Sequence, residues 1–141
     1  MPSTTETSGL SSAAIFIARL IFAAVFAMAA TFKFLNISGT ADYITAAGFP
    51  FASGLAWIAA VFEVILVLCL LTGAYFSEAA IAAAIYVVFL GFAFHGPNHW
   101  AASQAEFGFF IDHFTFLAGL MFAACHGPGN LLTLNRQLWR P

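Results

Sequence analysis

Four long apolar stretches alternate with short polar ones along the chain, at 13–35, 51–75, 78–94 and 107–126. The second reads FASGLAWIAAVFEVILVLCLLTGAY and carries one charge, Glu63, near its middle. About 20 apolar residues at helical rise match the hydrocarbon thickness of a bilayer, so these runs predict membrane-spanning helices. Between the first two lies NISGTADYITAAGFP, which predicts a short interfacial helix capped by Ser38 or Thr40. Gly48 would close it after Ala47, and Pro50 would prevent its continuation. The link LTGAYFSE is too short for anything but an antiparallel turn between neighbouring helices. Small residues open the third helix, Ala79, Ala80, Ala82, Ala83 and Ala84, and mark a face that packs closely on another helix. Pro97 ends that helix between His95 and His99, and Gly127-Pro128-Gly129-Asn130 ends the fourth. Residues 1–12 are polar, Ser/Thr-rich and expected to be flexible. Residues 129–141 hold Leu131, Leu132, Leu134, Leu138 and Trp139 with Arg136 and Arg140, the pattern of a tail lying in the membrane interface.

Composition turns this pattern into a class. Only 7% of the 141 residues are charged, against roughly a quarter in a soluble domain. The chain is therefore expected to be an all-α integral membrane four-helix bundle, its domain at 13–128 and the lipid bilayer its first partner. A net charge of -2 offers no basic face, which excludes nucleic acid as a partner. The N-terminal segment has no Lys or Arg of a signal peptide, and the following run is too long and carries Arg19, so the first helix is retained. Arg19, Arg136 and Arg140 outweigh Lys33 at the other face, so the positive-inside rule places both termini in the cytoplasm.

Charges inside the membrane are the candidate chemistry. By helical rise Glu63 lies about 16 Å, and Arg19 about 20 Å, below the outer face. An Arg19–Glu63 ion pair between the first two helices is expected, either as a structural clamp or as part of a polar path for a small solute. Lys33 is expected to snorkel to the interface. Lys33, His95, His99, Asp112 and His113 collect at the outer end. Several readings of that cluster stay open. The histidines with Asp112 have the donor types of a metal site, although Pro97 separates His95 from His99, and no metal is assigned. His95 and His113 are the only pair for a haem. A quinone headgroup would use a His or Lys donor beside a proton source. Plain interfacial placement of imidazoles and Trp100 is the simplest account. Cys69 and Cys125 read as small packing residues, the 18 phenylalanines as packing or lipid contact, and the Asn36-Ile37-Ser38 acceptor lies too close to the membrane for glycosylation.

The order of several short motifs resembles the DoxX family of small four-helix bacterial membrane proteins. These are Arg19 followed by Thr31-Phe32-Lys33-Phe34, then Gly48-Phe49-Pro50, Glu63, Leu70-Leu71-Thr72-Gly73, and Gly127-Pro128-Gly129. The family often has a lysine or asparagine near the start of the fourth helix and an acidic residue after the closing glycines, whereas this chain reads Phe110-Ile111-Asp112-His113 and Leu131-Leu132-Thr133-Leu134-Asn135. The resemblance implies a multi-pass protein of a bacterial inner membrane. It also implies a small membrane subunit of an oxidoreductase assembly, quinone-linked or anchoring a redox partner, with other membrane subunits around it. The catalytic residues and the cofactor stay unassigned, a mobile quinone being the cofactor that such a subunit would serve. The rival is a non-catalytic structural subunit packing against a larger membrane complex.

Overall fold

The computed structural model describes residues 4–134 and 136–138, in which the elements are α1 (Thr4–Leu35), α2 (Ile37–Ala46), α3 (Ala52–Thr72), α4 (Phe76–His95), α5 (Pro97–Trp100) and α6 (Gln104–His126). Four of these helices, within Gly9–Leu35, Ala52–Thr72, Phe76–His95 and Gln104–His126, are long and apolar enough to cross a membrane. Every described element is helical, as the apolar runs predict.

Two boundaries differ from expectation. α1 begins at Thr4, so residues 4–12 form its first turns; a helix nucleated in the apolar span extends through a polar stretch that holds no proline. α2 is capped by Asn36, whose Oδ1 accepts from the Gly39 N–H at 2.9 Å. Ser38 and Thr40, the expected caps, donate back to Asn36 Oδ1 and to its carbonyl. Pro97 does end α4 and opens α5 at its first turn, where a missing N–H is harmless.

The spans follow one another around the bundle. α1 packs on α3, α3 on α4 and α4 on α6, while α2 lies across the start of α3, where Ala41 and Ile44 bury against Ala56. The alanine face of α4 packs as expected: Ala79, Ala80, Ala83 and Ala84 are buried with Ala23, Phe26, Leu66, Leu70 and Leu120. The ring does not close. No Cα of α1 comes within 8 Å of one in α6 among the described residues, and the Phe22 ring spans the cleft to Gly119 and Phe116.

The tail folds back over the α3–α4 turn. The Leu134 N–H donates to the Thr72 carbonyl at 2.8 Å, and the Tyr75 N–H to the Arg136 carbonyl at 2.6 Å. Gly73 is required there. Its φ is +74°, and a Cβ would stand 2.9 Å from Thr133 Cγ2. The side chains of Leu132 and Leu138 stay outside this packing at 80% and 81% exposure, while Trp139 and Arg140 lie outside the described residues.

Candidate functional site

The expected Arg19–Glu63 pair does not form. Arg19 is buried level with the end of α3, where the last carbonyls of a helix lack partners. Its Nε donates to the Leu70 carbonyl (3.2 Å) and Nη2 to the carbonyls of Leu71 (2.6 Å) and Leu132 (3.2 Å). Nη1 donates to Pro128 (3.1 Å) and Leu131 (2.7 Å). All five guanidinium donors thus meet backbone oxygens, and the negative end of the α3 dipole stands in for a carboxylate. Leu132 adopts φ +47° in this cage, a left-handed conformation that brings its carbonyl to Arg19. Leu70 lies seven residues beyond Glu63, about 10 Å along the axis, so Arg19 is spent before it can reach the carboxylate.

Lys33 takes that role. Instead of snorkelling outward it turns into the bundle, where its Nζ donates to Glu63 Oε1 at 2.8 Å. The Tyr86 hydroxyl, from α4, donates to the same oxygen at 2.8 Å. Glu63 is 1% exposed, and its Oε2 has no hydrogen-bond partner among the described residues.

Lys33 and Tyr86 border a cavity of about 510 Å³ that also receives Asn36, Thr40 and Tyr43 from the α2 side and His95 and His113 from α4 and α6. Of the outer cluster read from sequence, Lys33, His95 and His113 therefore share one space. Asp112 lines an adjoining cavity of about 380 Å³, which shares His95 and His113 and opens toward the α1–α6 cleft. His99 is exposed on α5 and borders neither.

The two histidines are held in defined orientations. His95 Nδ1 lies 2.6 Å from Glu106 Oε2, and the Trp100 indole N–H donates to the His95 carbonyl at 2.8 Å. His113 Nδ1 lies 2.7 Å from the Phe109 carbonyl, which can only accept, so Nδ1 carries the hydrogen and Nε2 is the lone-pair nitrogen of the neutral ring. The rings stand 5.2 Å apart at 39°, too close for both to reach a haem iron end-on from its opposite faces. α4 and α6 approach closely enough for this because residue 91 is glycine; a Cβ there would stand 3.1 Å from His113 Cβ. No three His, Cys, Asp or Glu side chains gather as metal ligands among the described residues. Tyr43 stacks on Phe94 at 5.0 Å, and burial, reinforced by the charge of Glu106, pushes its phenol above the usual tyrosine range.

Sequence reasoning missed Tyr86, Tyr43, Asn36 and Glu106. Glu106 left a signal, an acid at the start of the last helix facing back across the short α5 turn toward His95. Tyr86 left none, being one more aromatic in an aromatic-rich span.

Four spans enclosing buried charge define a multi-pass membrane protein. The chain belongs to the DoxX family, whose model matches residues 14–96, more than half of its length and all of α2 to α4. Lys33, Glu63, Tyr86 and His95 fall inside that match, whereas Glu106, Asp112 and His113 lie beyond it. No curated protein and no solved structure matches the chain.

Proposed function

We propose that this chain is a small membrane subunit of a quinone-linked oxidoreductase assembly, and that the 510 Å³ cavity receives the quinone headgroup. The observation that carries this reading is the convergence of Lys33, His95 and His113 on one space at the end of an apolar bundle. Volume and lining suit a small-molecule site, mostly apolar with a few placed polar groups. Lys33 gives one hydrogen to Glu63 and has others for a ring oxygen. His113 Nε2 accepts from a quinol hydroxyl as the neutral ring and donates to a quinone oxygen as the imidazolium. Asp112, exposed beside His113 and lining the adjoining cavity, is the carboxylate through which a proton would leave the site. The bias of Arg19, Arg136 and Arg140 over Lys33 faces this end away from the cytoplasm of a bacterial inner membrane. The redox centre belongs to a partner subunit.

The test is binding of a decyl-chain benzoquinone to the protein in lipid nanodiscs. Lys33→Met and His113→Ala should each weaken it roughly 10-fold, the loss of one charge-assisted or placed hydrogen bond. Unchanged affinity in both variants rejects the site.

A structural subunit is the second reading, and the exposed face of α6 favours it, since Ile111 and Met121 both face outward. In the native assembly, His113→Ala with Asp112→Asn separates the two. Lost redox activity in an intact assembly supports the quinone site, and full activity supports the structural role.

A further inference from the structure

The polar cavity has a second neighbour of opposite character. A chamber of about 400 Å³ lies between α2, α3 and α4 on the other side of Tyr86. Ile44, Ala59, Tyr86, Leu90 and Phe94 border both spaces. Tyr86 brings the chamber's only side-chain polar atom, and that hydroxyl is committed to Glu63. Ile58 and Phe89, 66% and 50% exposed, stand at its lipid-facing mouth. Its walls brace one another instead of closing on the space: Phe49 sits edge-on to Phe89 at 5.8 Å and against Phe94 at 6.0 Å, and Phe62 sits edge-on to Tyr86 at 5.2 Å.

We propose that the two spaces form one site for a lipid-borne ring amphiphile, with the oxygen-bearing ring beside Lys33 and His113 and the hydrocarbon arm in the aromatic chamber, Ala59 being the threshold between them. The five shared residues make the two spaces neighbours, and Ala59 is the smallest side chain between them. The other way out of the polar cavity, toward the α1–α6 cleft, is also mostly apolar but carries Asp112, His95 and His113 along its wall, whereas the chamber offers only a hydroxyl already committed to Glu63. A bulk lipid chain fits less well, because its ester head stays at the interface and makes no use of the remaining Lys33 hydrogens or of His113 Nε2. The proposal rests on the quinone reading only for the identity of the ring.

The experiment uses the full chain in nanodiscs and three probes: a dimethoxy-methyl-benzoquinone without a chain, the same ring with a decyl chain, and para-decylphenol. Ala59→Leu narrows the threshold and Ile58→Trp crowds the mouth. Each should weaken both decyl probes roughly tenfold or more while shifting the chainless ring by less than about twofold, because only buried methylenes are lost. Ala59 borders open space on both sides and Ile58 faces lipid, so both variants are expected to fold. Equal losses for chained and chainless rings, or none, overturn the chamber. Chain-selective binding of decylphenol without either quinone keeps the chamber and removes the quinone reading. Failure of every probe to bind the wild-type chain removes both.

Discussion

The two ends of this bundle bury charge in opposite ways. Around Arg19 every donor has an acceptor, and the acceptors are backbone carbonyls that cannot move without unfolding α3 or the tail. Around Glu63 the bookkeeping stays open: one carboxylate oxygen takes two donors, the other takes none, and the cation has hydrogens to spare at the edge of a cavity. A saturated polar cluster fixes a fold, since any exchange of partners costs a buried hydrogen bond. An unsaturated one bordering space is suited to exchange.

Removing the saturated cluster should have the largest effect on stability. Arg19→Met leaves five carbonyls without their donor and detaches the tail from α3. A loss of about 3–5 kcal/mol is expected, read as the unfolding midpoint in nanodiscs. Arg19→Lys should recover little of it, because three donors on one ammonium cannot span five carbonyls in two segments. Near-wild-type stability of Arg19→Met would remove the structural role assigned to this end.

At the open end the expected losses are smaller and, unlike those at Arg19, recoverable. Lys33→Met strands a buried carboxylate and should cost about 2–3 kcal/mol. Adding Glu63→Gln should restore more than half, because the stranded charge is then gone. A double-mutant cycle on the two positions tests the pair, and a coupling near zero would show that the contact contributes nothing.

How far these contrasts were legible in the sequence depends on the residue. The spans follow from apolar length, and Glu63 stands out because a lone charge in such a run has few acceptable surroundings. Its partner was harder to read. Arg19 and Lys33 share a face of α1 about 21 Å apart, and counting depth gives no account of which donors already have acceptors. Arg19's acceptors come partly from Pro128, Leu131 and Leu132, in a segment shaped by positive φ at Gly129 and Leu132, and no periodic pattern announces such a turn. The outer cluster was readable as a set of residue types near one end. His99 fell outside the cavity because Pro97 starts a new helix that turns it to solvent.

Two of the glycines with close neighbours, Gly73 and Gly91, separate the ends by type of effect. Gly73→Ala places a side chain at φ +74° beside Thr133 and should cost about 1–2 kcal/mol without touching the cavity. Gly91→Ala pushes on His113 from 3.1 Å and should cost less than about 1 kcal/mol in stability. Its effect should appear in decyl-benzoquinone affinity, which Gly73→Ala leaves unchanged. The reverse assignment of effects would contradict the division of the bundle into a structural and an exchanging end.

The smallest expected effect concerns Tyr43 at the rim. Burial and then the charge of Glu106 hold its phenol above the usual value near 10. A raised value in the folded state means that the protonated phenol is favoured by the fold. The associated stability is present in full below the ordinary tyrosine range and is lost as pH climbs through the folded value. Because half of Tyr43 is open, the energy involved is small, and the readout is the titration itself. With ring-labelled tyrosine followed by NMR, Glu106→Gln should move the Tyr43 midpoint down only part of the way, since burial is the larger cause and remains. A complete return to the ordinary value would make Glu106 the dominant influence. No movement would remove Glu106 from the influences on Tyr43 and leave burial as the whole cause.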